Sequence, residues 1–331
     1  MQIREHSASR LTPVVLLLAF LLAGCTPRYM LPGPTTGRPH LTPEALVARD
    51  GAALPLRHWD AATPHAVIIA LHGFNDYSNC FSDAAAFWAK NGVTTYAYDQ
   101  RGFGGAPNFG RWPGAEAFID DLDDAVAVVA SAHPGVPLYV LGESMGAAVT
   151  LAWADRTGAP GVSGLVLVAP AVWGWSTLNP LYRTTLWVTA HTTPAKTLTG
   201  ARLKRWPSDN IPMMRALSRD PKVIKATRID AIYGLVGLMD EGYRATRAPA
   251  GGKAPPILLL YGEHDQIVPK KPVKAAADAL GPRARYVLYP DGYHMLLRDL
   301  HGRIVWKDIE SFVTAPEQVL PSGLERQALR P

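Results

Sequence analysis

The chain has 331 residues, a mass of 35.8 kDa and a formal net charge of +5. Hydrophobic residues make up 48% and charged residues 18%, which supplies a large core and excludes a disordered chain. The 33 basic and 28 acidic residues form no long run of one sign, so nucleic acid is not an expected partner, and two cysteines (Cys25 and Cys80) cannot build a disulfide scaffold or a four-cysteine metal site.

Residues 1–10 carry Arg4 and Arg10, and residues 11–23 (LTPVVLLLAFLLA) are almost wholly apolar. A basic start followed by a short apolar run has the form of a secretory signal, too short to span a bilayer comfortably. The run ends in Leu22-Ala23-Gly24-Cys25, which resembles the bacterial lipobox. The resemblance implies a signal peptide over 1–24, acylation of Cys25, and an exported lipoprotein held to a membrane of the bacterial envelope on its periplasmic or cell-surface side. Thr26, rather than Asp, follows the cysteine, which favours the outer of two membranes. Residues 25–43 are rich in Pro and Gly and read as a tether. With Cys25 acylated, Cys80 is left as an unpaired thiol.

From residue 44 the chain alternates strands and helices. Leu46–Arg49 and Leu54–Trp59 flank Asp50-Gly51, a hairpin signal. His65–Leu71 is a short continuous apolar run of the kind buried on both faces of a sheet. Helical spacing follows over 79–91, ended by Asn91-Gly92, and Val93–Tyr98 is again strand-like. Ala115–His133 predicts a long amphipathic helix, Leu138–Leu141 a strand, Met145–Arg156 a helix and Gly164–Ala169 a strand. The alternation then breaks over about 171–245. It resumes with Ile257–Tyr261, Pro269–Leu280, Ala284–Tyr289 and His301–Val313 as strand, helix, strand and helix. The tail, 315–331, shows no clear pattern. Alternation at this pitch predicts a mostly parallel sheet with helices on both faces and chemistry outside the carboxyl ends of its strands.

Gly142-Glu143-Ser144-Met145-Gly146 sits between a predicted strand and a predicted helix. A Gly-x-Ser-x-Gly turn at that junction is sharp, needs its glycines for close backbone approach, and presents the serine hydroxyl at the start of a helix. A serine hydroxyl is a weak nucleophile that needs a base, itself oriented by an acid. Asp265 follows the strand at 257–261 and His294 follows the strand at 284–289, so both reach the sheet edge where Ser144 lies. Glu263, Asp291 and Asp240 are less well placed acids, and His264, His301 and His72 are rival bases. An oxyanion needs preorganised donors. The N–H of Met145, just after the nucleophile, is one candidate; the N–H of Phe74, in the His72-Gly73-Phe74 turn after the strand ending at Leu71, is the other.

These blocks, LHGFNDYS (71–78), YAYDQRGFG (96–104), LGESMGAA (141–148), YGEHDQIVP (261–269) and GYH (292–294), resemble the α/β-hydrolase superfamily, and within it the monoacylglycerol lipase and lysophospholipase-like group, also described as serine aminopeptidase-like. The resemblance covers about 44–314 and implies an α/β-hydrolase fold: an eight-stranded, mostly parallel sheet flanked by helices, with a helical cap inserted after the sixth strand at about 171–245. Two departures stand out. Ala147 replaces a common Gly, and Asn75-Asp76-Tyr77 stands where eukaryotic monoacylglycerol lipases carry Gly-Glu-His. Arg101, in the Asp99-Gln100-Arg101-Gly102 block, reads as a structural ion-pair partner.

The resemblance implies a serine ester hydrolase using Ser144, His294 and Asp265, without cofactor or metal. The expected substrate is a lipid monoester, monoacylglycerol or lysophospholipid, because an anchor and an apolar cap both suit one. Trp173, Tyr182, Trp187 and Leu235 of the cap are the candidate substrate-binding residues. A carboxylesterase or thioesterase acting on small esters, a hydrolase of N-terminal peptides, a transferase, and a non-catalytic lipoprotein binding acyl ligands or a partner are the alternatives.

Overall fold

Ala66–Leu71 is a strand in which every side chain is buried, because both faces of the sheet are covered at this point. Val67, Ile69 and Leu71 enter one core, and Ala66, Ile68 and Ala70 enter the other. The structure is a computed structural model that describes residues 26–200, 205–248 and 254–326. The proposed signal segment and Cys25 lie outside those residues.

The described residues contain twelve strands: β1 His40–Leu41, β2 Ala45–Val47, β3 Ala53–Trp59, β4 Ala66–Leu71, β5 Val93–Tyr98, β6 Leu138–Glu143, β7 Gly164–Val168, β8 Thr197–Thr199, β9 Ala226–Arg228, β10 Ile257–Gly262, β11 Ala284–Tyr289 and β12 Glu325–Arg326. Ten of them form one sheet in the order β1-β2-β3-β5-β4-β6-β7-β10-β11-β12. Pairing is parallel from β5 through β11 and antiparallel at both ends. Eight strands were expected. The two added ones, β1 and β12, are two-residue edge strands with no sequence signal of their own.

The α-helices are α1 Ser82–Lys90, α2 Ala115–Ala132, α3 Met145–Thr157, α4 Pro180–Thr192, α5 Ile211–Arg219, α6 Ile229–Ala245, α7 Lys270–Leu280 and α8 Gly302–Thr314. The residues between β7 and β10 hold α4, α5, α6 and an antiparallel β8–β9 ribbon. Helix α6 seats this insertion on the domain. A Cβ at Gly242 would lie 3.0 Å from Ala148 Cα, so α6 and α3 approach almost backbone to backbone. Gly234, about two turns earlier on the same helix, makes room for the indole of Trp112.

The first and last stretches of the described residues lie against this body. Tyr29 packs on the core, Met30 N–H donates to Trp112 O at 2.8 Å, and β1 pairs with β2, so much of the stretch read as a tether runs along the domain. At the other end Leu320 is buried, β12 pairs with β11, and Arg285 holds Glu325 at 2.7 Å. The Arg101 guanidinium makes two bonds to Asp50 and two to Asp121, at 2.7–2.8 Å, tying the β2–β3 turn to α2 beneath the site.

Candidate active site

Strand β6 ends at Glu143 and α3 begins at Met145, leaving a single residue to make the turn. Ser144 takes φ +54° and ψ −111°, a conformation unfavourable for any residue with a Cβ. Its neighbours make the turn possible. A Cβ at Gly142 would fall 2.4 Å from Ala147 N, and one at Gly146 would fall 2.1 Å from Leu71 O. Ser144 N–H donates to Val168 O at 2.9 Å, and Ala171 N–H donates to Ser144 O at 3.1 Å. Neighbouring backbone therefore holds the residue in its strained state.

The structure brings the three candidate catalytic residues together. His294 Nε2 lies 3.0 Å from Ser144 Oγ, and His294 Nδ1 lies 2.8 Å from Asp265 Oδ2. Asp265 Oδ1 accepts the N–H groups of Ile267 and Val268 at 2.7 and 2.9 Å. The Asp265 side chain is wholly buried and His294 nearly so. An ionised carboxylate at Oδ2 puts the imidazole proton on Nδ1, leaving the Nε2 lone pair for the serine hydroxyl. Burial pushes the His294 pKa down, but the charge and hydrogen bond of Asp265 outweigh it, with help from Glu143, so the net shift is upward.

Gly73 brings the loop after β4 against the nucleophile: a Cβ there would lie 3.3 Å from Ser144 Cβ. The next residue, Phe74, is half-buried, its ring edge-on to Phe103 and Trp112. Among the described residues no backbone acceptor takes the N–H of Phe74 or of Met145. Met145 follows Ser144 in the chain, and Phe74 follows Gly73, which lies against Ser144.

The rivals have other employment. His72 is buried, with Nδ1 on Gly73 O at 2.8 Å and Nε2 accepting the Gln100 N–H at 2.9 Å; it braces the Phe74 loop. His264 is exposed beside Tyr293, and His301 is exposed at the N-terminal boundary of α8, with no side-chain capping bond. Glu263 pairs with Lys270, Asp240 accepts from Ser176 and pairs with Arg244, and Asp291 is exposed. Among the described residues no group of three His, Cys, Asp or Glu side chains is arranged to hold a metal ion.

The four candidate substrate-binding residues separate into two pairs. Trp173 and Leu235 pack against the core that also contains Met145. Tyr182 and Trp187, on α4, are 62% and 49% exposed. Trp187 stacks on His191 and lines a cavity of about 530 Å³ with Trp175, Pro180, Arg183, Thr184 and Tyr233. None of those lining residues belongs to the Ser144–His294–Asp265 cluster. Apolar composition marked α4 as a cap helix but could not say which way its side chains face.

Sequence reasoning passed over a second group at the site. Arg298, four residues beyond His294, donates from Nη2 to Asp76 Oδ2 at 2.6 Å and lies 3.8 Å from Glu143 Oε2. Asp299 accepts from Ser208 Oγ at 2.6 Å and from Tyr293 N–H at 2.7 Å, joining the cap to the loop of His294. Asn75 Nδ2 donates to Thr227 Oγ1 at 2.8 Å, joining the cap to the loop of Phe74. Lone polar residues after each motif were the only signal.

Known proteins share this arrangement of chain. Residues 62–301 match the family described as serine aminopeptidase, S33 (Hydrolase_4). A monoacylglycerol lipase of Mycolicibacterium smegmatis is 26% identical over 270 residues, covering 76% of this chain and 89% of that protein. The human monoglyceride lipase is 27% identical over 286 residues, covering 81% and 90%. A crystal structure of a soluble variant of monoglyceride lipase from Saccharomyces cerevisiae, in complex with a substrate analog, superposes with a TM-score of 0.69 at 18% identity, over 86% of this chain and 97% of that one. The chain belongs to the serine aminopeptidase S33 (Hydrolase_4) family and is a hydrolytic enzyme of the α/β-hydrolase fold.

Proposed function

We propose that the protein is a serine ester hydrolase that cleaves lipid monoesters, a monoacylglycerol or a lysophospholipid, through an acyl-enzyme on Ser144. The observation that carries this reading is the unbroken pair of hydrogen bonds from Ser144 Oγ through His294 to Asp265. As Ser144 Oγ attacks the ester carbonyl, His294 Nε2 takes its proton, and Asp265 stabilises the imidazolium that forms. The N–H groups of Phe74 and Met145 hold the oxyanion of the tetrahedral intermediate. His294 then passes the proton to the leaving alcohol. Water, activated by the same imidazole, releases the fatty acid and restores Ser144.

The lipid-monoester reading is supported by the names of the relatives and by apolar residues exposed on α4, Leu181, Tyr182, Trp187 and Val188, which suit a substrate presented at an interface. The anchor reading rests on the lipobox-like sequence ending at Cys25. Hydrolysis of monooleoylglycerol and lysophosphatidylcholine, compared with trioleoylglycerol and a short aryl ester, tests the substrate class. Turnover confined to the short aryl ester contradicts it. Cys25→Ser should release the protein from membranes of a bacterial host, and retention of that variant contradicts the anchor.

A further inference from the structure

Three loops must keep their mutual positions for this chemistry: the turn with Phe74, the elbow with Ser144 and the loop with His294. One buried guanidinium touches all three. Arg298 belongs to the His294 loop, and its side chain is 10% exposed. It donates to Asp76 Oδ2, two residues beyond Phe74, at 2.6 Å. It lies 3.8 Å from the carboxylate of Glu143, the residue before Ser144. Asp76 is itself fixed within its loop: Oδ1 accepts the Tyr77 N–H at 2.9 Å, and Asp76 N–H donates to Gly73 O. Glu143 is 3% exposed and its Oε1 has no hydrogen-bond partner among the described residues, so Arg298 is the cation that makes its burial tolerable.

The charges also reach the imidazole. The titratable and charged groups that act on His294 are Asp265, Glu143 and Arg298; the two carboxylates favour its protonated form and Arg298 opposes it. Burial pushes the carboxyl of Glu143 upward overall, and Arg298 opposes part of that rise.

We propose that Arg298 is a positioning residue for ester hydrolysis: through Asp76 and Glu143 it locks the oxyanion loop and the nucleophile elbow to the loop of His294, and it offsets the negative charge around the imidazole. This rests on the serine-hydrolase reading above. A buried ion pair of this kind gives specificity of arrangement more than net stability. Displacing reacting groups by about 1 Å costs on the order of 100-fold in rate.

The test uses the full chain and a p-nitrophenyl ester as substrate. Arg298→Met should lower kcat about 100-fold and change KM less than about threefold. Arg298→Lys, which keeps the charge, should recover part of kcat. Loss of the cation should move the acid limb of the pH profile to higher pH, and Glu143→Gln should move it to lower pH. Asp76→Asn with Arg298→Met removes both members of the pair but leaves Glu143 without its cation; that double variant should regain part of the melting temperature lost in Arg298→Met without regaining kcat. Full kcat and an unmoved acid limb in folded Arg298→Met overturn the proposal. Recovery of kcat together with melting temperature in the double variant also overturns it, since the pair would then be structural only. If Arg298→Met fails to fold, Glu143→Gln and the double variant carry the test by the same criteria. A wild-type chain that hydrolyses no ester defeats the serine-hydrolase reading itself; an active wild type with unaffected variants defeats only the role of Arg298.

Discussion

The two oxygens of Asp265 are divided between its own loop and His294. Oδ1 accepts the N–H groups of Ile267 and Val268, which fixes the plane of the carboxylate. Oδ2 is left facing His294 Nδ1 at 2.8 Å. Asp265→Asn preserves the shape but offers an amide where the imidazole needs an acceptor, which favours the wrong tautomer. Loss of kcat should be about 10⁴-fold, the scale seen when the orienting acid of such a triad becomes an amide. Steady-state kinetics with the folded variant checks this, and a loss under tenfold assigns the orienting role elsewhere.

In the proposed mechanism the upward shift of His294 sets the pH profile. The base must be neutral to take the proton of Ser144. Its protonated form is favoured by Asp265 and Glu143, so it persists to higher pH than that of a free imidazole. Activity should therefore rise with pH through a value above the ordinary 6.5 and be lost as pH falls through it. A plot of kcat/KM against pH whose acid limb lies below 6.5 disagrees with this geometry.

Glycines at different turns should respond very differently to a methyl group. At Gly146 a Cβ would stand 2.1 Å from Leu71 O, within the sheet's own backbone, so Gly146→Ala should abolish activity and soluble expression together. At Gly135 the backbone also has positive φ, +78°, but nothing lies within 4 Å of a Cβ. Gly135→Ala should cost only about 1 kcal/mol, with kcat unchanged. Thermal melts and activity of the two variants compare them directly.

Arg101 should matter to stability and not to substrate binding. Its side chain is 11% exposed and its partners Asp50 and Asp121 are 7% and 2% exposed. Burial already pushes the Asp121 carboxyl up to about 6 despite the two bonds from Arg101. Arg101→Met strands both carboxylates and should destabilise the fold by about 3–5 kcal/mol. Denaturant titration measures this; KM of the folded fraction should be unchanged.

Much of the fold is written locally in the chain, and the distribution of what is not is informative. The continuous run at 66–71 could only be a strand buried on both faces, and the expected long helix at 115–133 differs from Ala115–Ala132 by one residue. Ser144, Asp265 and His294 each sit in a short motif at the end of a strand, so a parallel sheet alone brings them to one edge. Arg298 and Asp76 are 222 residues apart, and Asn75 and Thr227 are 152 apart. Such pairs leave no periodicity, because each is a single contact fixed by tertiary packing. The β8–β9 ribbon was missed for a related reason. Thr197–Thr199 is exposed throughout, so no alternation of apolar and polar residues marks it. Tyr182 and Trp187 lie largely exposed on α4, and the cavity that Trp187 lines includes none of Ser144, His294 and Asp265, because bulk and apolarity report a helix face, not the direction in which it points.

Covalent labelling tests most directly whether Ser144 is the nucleophile of an ester hydrolase. A fluorophosphonate probe should react with the wild-type chain, peptide mapping should place the adduct on Ser144, and Ser144→Ala should abolish both labelling and ester turnover while keeping the wild-type melting profile. Labelling that persists in folded Ser144→Ala, or an adduct mapped to another residue, would contradict the account.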